Sequence, residues 1–357
     1  MWPDRRFLDL AGIEHPVIQA PMAGSSTPTL AAEVSAVGGL GSLACAMASV
    51  EQTRAAIAVI RQRTDKPFNV NFFCHEPPVV DAGREAAWRR SLAPFYAELG
   101  VDASKLADGP ARVPFDAAMC DLMVETRPKI VSFHFGLPAE PLLRRVRDAG
   151  CLILSSATTV AEARWLEDHG VDAIVAQGSE AGGHRGMFLT TDIAAQVGTM
   201  ALVPQVVDAV KVPVIATGGI ADARGIVAAL ALGAAAVQLG TAYLLCPEAA
   251  TTAVHRAALK AGRDDTTALT NLFTGRPARG HFNRLMRARG PIGEAPQFPL
   301  AANAVAPLRA AGEATGSGDF SPLWSGQAAR LAREIDAATL TKQLIDSTRA
   351  GMARLRV

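Results

Sequence analysis

Short apolar runs recur along this chain and alternate with stretches of helical periodicity. Val17–Ala20, Gly39–Ala44, Phe68–Phe72 and Ile130–Phe133 are the first four runs; Cys151–Ser155, Ala173–Ala176, Val214–Ala216 and Ala235–Leu239 complete the set. Runs with so little polar alternation predict strands buried on both faces, as parallel strands covered by helices are. Helical patterns fill the gaps: one opens near Pro28, one covers Glu51–Arg63 and one starts at about Glu140. In TTVAEARWLEDHG, Thr159 and Glu162 have capping-box spacing and Gly170 supplies the stop. Eight strand–helix units joined by right-handed crossovers predict an α/β fold, a closed (β/α)8 TIM barrel.

Two places break the rhythm. An insertion of about residues 74–127 follows the third strand, and past about residue 262 the chain runs on through TGRPARG into a turn-rich segment and a final helix. The expected organisation is therefore a barrel over 1–262 and an extension, 263–357, packing on or beside the barrel mouth. The apolar stretch Gly225–Leu245 is interrupted by Gly233, Gln238 and Gly240. It reads as a helix followed by a buried strand rather than a membrane span.

Composition agrees with this picture. Hydrophobic residues make up 49% and charged residues 19%, with aromatics at 5%, which suits closely packed parallel strands and helices. A net charge of +1 and a pI near 7.7 give no attraction to nucleic acid or an anionic membrane. The five cysteines are scattered without C-x-x-C spacing, which argues against a disulfide framework or a metal site. The start lacks the apolar run of a signal peptide, so a cytoplasmic location is expected.

In such a barrel the working residues lie where strands end and βα loops begin. The first strand ends in Pro21 and Met22, and the third carries Asn69 and Asn71 on one face. The fourth ends at His134 in KIVSFHFG, and the sixth in AQGSEAGGHRG with Gln177, Gly182, Gly183 and His184. The seventh ends in Gly218 and Gly219, the eighth in Gln238, Gly240 and Thr241. Glycine-bearing loops after strands seven and eight are the usual phosphate site of these barrels. The amides of Asn69, Asn71 and Gln177 offer donors and acceptors to a flat heterocycle. Phosphate at one rim and heterocycle across the mouth point to FMN. His184 and Arg185 are candidates for contact with phosphate or substrate.

QAPMAGSSTPTLAAEVSAVGGLGSL, PFNVNFF, SFHFG, AQGSEAGGHRG and ATGGIADARGIVAALALGAAAVQLGTAYL, in this order, resemble the nitronate monooxygenase family, formerly called 2-nitropropane dioxygenases, and its bacterial class I members most. The resemblance implies an FMN-containing barrel that oxidises alkyl nitronates, propionate 3-nitronate above all, with O2. The products would be carbonyl compounds and nitrite or nitrate. It places the catalytic histidine at His134. It places flavin contacts at Pro21, Met22, Asn71, Gln177, Gly182, Gly218, Gly219, Gln238, Gly240 and Thr241, with Asn69 and Gly183 beside them. Through SPLWSGQ it brings Trp324 and Gln327 near the flavin. The class places tyrosines and a lysine around the substrate, whereas this chain has only Tyr96 and Tyr243 and a tail, FPLAANAVAPLRAAG, with neither residue type. Phe298 is the candidate for one of those places.

Two other functions fit parts of the same pattern. An NAD(P)H-dependent quinone or enoyl-thioester reductase would share the PMAG start and both glycine loops, and a flavin-binding protein without turnover would use His134 only as support. The histidine of SFHFG and the tail favour the monooxygenase.

Overall fold

The computed structural model describes residues 2–102, 104 and 112–355. Among these residues the strands are β1 Val17–Gln19, β2 Gly41–Ala44, β3 Phe68–Phe73, β4 Ile130–His134, β5 Leu152–Ala157, β6 Ala173–Gln177, β7 Gly183–His184, β8 Val214–Thr217, β9 Ala236–Leu239, β10 Thr267–Thr270 and β11 Ala278–His281. Eight of them pair in parallel in the order β1-β9-β8-β6-β5-β4-β3-β2. The sheet closes on itself through a parallel bridge between Ile18 and Leu40. The fold is the expected (β/α)8 barrel.

The apolar runs become strands because both faces are covered. Every residue of β3 and β6 is buried: one face meets the surrounding helices and the other fills the barrel. Interior polar side chains bond to one another there. Asn69 Nδ2 donates to Ser42 Oγ at 3.1 Å, and Asn71 Nδ2 donates to Ser132 Oγ at 2.9 Å one layer nearer the mouth.

Glycine enters the packing at β2. A Cβ on Gly41 would lie 1.8 Å from the carbonyl oxygen of Ala31, so helix Pro28–Ala36 rests directly on this strand. The stretch Gly225–Leu245 divides into the helix Ala223–Ala231 and strand β9. Among the described residues no helix is long and apolar enough to cross a membrane.

The two interruptions pack differently from the simple division at residue 262. Within the insertion, helix Ala117–Thr126 packs between helices Val50–Arg63 and Glu140–Asp148 and so belongs to the barrel ring. The preceding helix, Ala82–Leu99, instead pairs with Ala301–Ala314 of the tail. Trp88, Leu92 and Phe95 share a second core with Phe273, Leu308 and Phe320, and the Tyr96 hydroxyl donates to the Ala304 carbonyl at 2.7 Å. The last helix, Ala337–Leu355, leaves this layer and packs against helices Ala223–Ala231 and Pro28–Ala36 beside β1, where the ring would otherwise lack an outer helix. Its Leu340, Leu344 and Ile345 are buried, and Thr341 hydrogen-bonds the buried Tyr243 hydroxyl at 2.8 Å. The turn-rich reading also missed a three-stranded antiparallel sheet, β10-β11-β7, which joins the tail to the loop after β6. With two residues, β7 is too short for periodicity to reveal.

Candidate active site

A cavity of about 270 Å³ opens at the carboxyl ends of the barrel strands. At one end, Gly218, Gly219, Gly240 and Thr241 form its wall. Gly218 and Gly219 have φ of 122° and 66°, a turn that side chains rarely adopt. The Thr241 hydroxyl accepts from the Gly326 backbone N–H at 3.0 Å, so the tail closes over this end. Pro21, Met22, Asn71, Gln177, Gln238, Gly182, Gly183 and Trp324 also line the cavity. Three expected residues are not on this wall. Asn69 lies a layer deeper, Gln327 is exposed and only its backbone N–H reaches Glu180 O, at 3.0 Å, and Phe298 is buried in an aromatic group with Phe73 and Phe135.

His134 and His184 stand at the other end. The Nε2 of His134 lies 3.2 Å from the His184 carbonyl oxygen, and its Nδ1 lies 2.9 Å from Ser156 Oγ. A carbonyl can only accept, so in the neutral ring Nε2 carries the proton and Nδ1 accepts from the Ser156 hydroxyl. Burial, with the positive charge of Arg276 next, pushes the His134 pKa down to about 3. The neighbouring imidazoles follow the same rule. His184, bonded through Nε2 to Thr274 Oγ1 at 2.9 Å, is held well below its usual range by burial and then by Arg112. Burial and then Arg276 bring His75 down to about 4.

The loop after β6 holds this arrangement rigidly. Gln177 Nε2 donates to the same His184 carbonyl at 3.0 Å, and its Oε1 accepts from the Gly186 N–H at 2.7 Å. A Cβ on Gly186 would lie 3.0 Å from His134 Cε1 and 2.9 Å from Ser156 Cβ, so the loop backbone seats the imidazole directly. Arg185, a candidate for ligand contact, faces away from the cavity. It is fully buried, and its Nε donates to Gln196 Oε1 at 2.8 Å and its Nη2 to the Gln177 carbonyl at 2.9 Å. Glu180 accepts from the N–H and hydroxyl of Thr199, at 2.8 and 2.7 Å, at the start of helix Thr199–Ala209. Thr159 caps the helix as expected, its Oγ1 accepting from the Glu162 N–H at 3.2 Å. The buried Glu162 carboxylate departs from the capping box: it accepts from Thr158 rather than Thr159, and also from the N–H groups of Phe188 and Leu189.

Reading along the chain missed four contributors. Arg276 lies with its guanidinium carbon 3.9 Å from the centre of the Phe135 ring. Arg112 sits on the cavity wall 5.4 Å from the Phe298 ring. Phe73 packs against His134 with ring centres 5.7 Å apart. Ser156 falls one residue past the apolar run that defined β5. TGRPARG and the end of β5 were available as signals, but neither says which way its side chains turn.

Fold and cavity together define a barrel enzyme whose candidate active site is the cavity at the strand carboxyl ends. The chain belongs to the nitronate monooxygenase family, whose model matches residues 4–347. It is 46% identical over 353 residues to a nitronate monooxygenase of Pseudomonas aeruginosa, covering 96% of this chain and 99% of that protein. A second nitronate monooxygenase, from Paraburkholderia phytofirmans, is 44% identical over 99% of this chain and 97% of its own length. Among solved structures, a nitroalkane oxidase from Streptomyces ansochromogenes superposes with a TM-score of 0.88 at 38% identity, covering 98% of this chain and 99% of that one.

Proposed function

We propose that this enzyme oxidises alkyl nitronates with O2 using FMN, and that His134 faces the reacting carbon. The observation that carries this reading is the one-sided charge at the His134 end. The charges acting on His75, His134 and His184 come from Arg112, Arg185, Arg276 and one another. Glu162 and Glu180 act on Arg185 and Glu162 on Arg276, whereas among the described residues Arg112 feels only the like charge of Arg309. A buried cation without an anionic partner, as Arg112 is, set beside neutral imidazoles favours an anionic ligand. A nitronate is such an ion, and its α-proton is already gone.

The other end fits the cofactor. A Cβ built on Gly240 would approach only Ala20 and Met22, and one on Gly183 would meet nothing within 4 Å. Backbone can therefore lie close against a phosphate or ring there. Gly218, Gly219, Gly240 and Thr241 would hold the phosphate, with Asn71, Gln177 and Gln238 toward the ring. When bound, FMN supplies the one-electron acceptor for the nitronate and the reductant for O2. The protein's own part is to orient and to exclude water. With Nε2–H committed to the His184 carbonyl, His134 presents Nδ1, shared with the Ser156 hydroxyl, as its basic atom. A neutral nitroalkane would lose its α-proton toward that pair; a nitronate needs only the positioning. All five cysteines are free, which supports a reducing, cytoplasmic setting.

Purified protein should show a flavin absorption spectrum and consume O2 with propionate 3-nitronate in the absence of NADH. A colourless protein that refuses FMN sinks the cofactor assignment. NADH-dependent quinone reduction without nitronate turnover would replace the monooxygenase by the reductase.

A further inference from the structure

We propose that Arg112 is a specificity-determining residue, whose guanidinium receives a second anionic group carried by the substrate beyond its nitronate carbon. This assignment rests on the nitronate reading above. Arg112 lies between β3 and helix Ala117–Thr126, and with Met47 and Phe73 it forms a wall shared by the main cavity and an adjoining one of about 400 Å³. Its Nη1 is buried without a hydrogen-bond partner. Its guanidinium carbon lies 5.4 Å from the centre of the Phe298 ring, which in turn stands 5.4 Å from the His184 ring. The guanidinium is therefore placed beside the imidazole end of the cavity.

The other nearby guanidinium groups are differently committed. Arg309 also reaches the cavity wall, but its Nε donates to Glu313 at 2.8 Å. Arg276 also has a buried Nε without a partner, but it lines neither cavity: it donates to the Met187 carbonyl and covers the Phe135 ring. A buried guanidinium N–H without an acceptor is costly, and a carboxylate satisfies it with charge as well as geometry. A neutral tail of the same length offers no comparable partner. The site thus selects among nitronates by what lies at the far end of the molecule.

The test compares propionate 3-nitronate with propyl-1-nitronate in the wild type, Arg112→Met and Arg112→Lys. In Arg112→Met the preference for the carboxylated nitronate, as a ratio of kcat/KM values, should fall by about 10- to 100-fold, chiefly through KM. Arg112→Lys should recover part of it, since the charge is restored without the planar fork. A ratio within about twofold of wild type in Arg112→Met overturns the proposal. Calorimetric titration with 3-nitropropionate and 1-nitropropane reads the same preference without turnover. A wild-type enzyme that turns over neither nitronate overturns the functional reading; a calorimetric preference undiminished in Arg112→Met, or absent from the wild type, overturns the role of Arg112.

Discussion

At one end of the cavity, Gly218, Gly219, Gly240 and Thr241 sit at the tips of consecutive barrel strands, and main chain forms most of the wall. At the other end the wall is made of side chains brought from distant parts of the chain: His134 from β4, His184 from β7 and Arg112 from the segment after β3, with Arg276 of the tail packed nearby on Phe135. The first end is encoded locally, because a glycine turn after a strand needs only its own few residues. The second depends on the mouth layer being assembled first. The shared core of Trp88, Leu92, Phe273 and Leu308 is what assembles it. Substitutions at the two ends should accordingly fail in different ways, the first by losing cofactor and the second by losing rate.

The largest effect is expected at the glycine end. Gly218→Val would place a β-branched side chain at φ 122° with its Cβ about 2.6 Å from Thr199 Oγ1. It should purify with little FMN, measured as flavin released per chain; full occupancy would contradict the assignment of that end.

His134→Asn should remain yellow while kcat/KM falls by about 10²- to 10⁴-fold. Unchanged kinetics would remove the imidazole from the mechanism. Gly186→Ala tests seating alone, since the new methyl meets His134 Cε1 and Ser156 Cβ. A displaced imidazole should cost roughly 10²-fold in kcat with flavin content retained. Ser156→Ala removes the donor to Nδ1 and should lower turnover of neutral nitroalkanes by about tenfold more than turnover of nitronates. Equal losses on both would argue against Nδ1 as the basic atom.

The smallest effect concerns pH. The folded-state pKa of His134 lies at about 3 and that of His75 at about 4, both below an unfolded value of about 6.5. Between these values the unfolded chain binds more protons than the native one, so stability is lost as pH falls from about 6.5 toward 4. The limiting slope is about 1.4 kcal/mol per pH unit for each such histidine. Thermal melts across this range should show the decline, with a shallower slope in His134→Asn. The same depression predicts that kcat/KM has no His134 titration near pH 6.5; a limb there that vanishes in His134→Asn would show that the imidazole is charged in the free enzyme.

Much of the barrel was legible along the chain because burial on both faces leaves its mark in each strand separately. The runs at Val17, Phe68, Ile130 and Ala173 all became staves, and the glycine turns after β8 and β9 line the cavity as their spacing implied. Asn69 and Asn71 show the limit. Alternation put both on the inner face, but only the barrel's depth separated the one bonded to Ser42 from the one at the cavity. Arg185 shows it again: the GGHRG motif marks a site loop, yet its arginine points inward to hold Gln196 and the Gln177 carbonyl.

The sequence by itself determined the staves, the glycine turns and the strand tip that carries His134, since each depends on neighbours a few residues away. Tertiary structure alone decided which nitrogen of that imidazole is basic, which arginines surround it and which helix completes the ring. Those outcomes depend on hydrogen bonds and packing between segments far apart in the chain, as between His134 and the His184 carbonyl, or between the last helix and Pro28–Ala36. Local periodicity carries no information about such meetings.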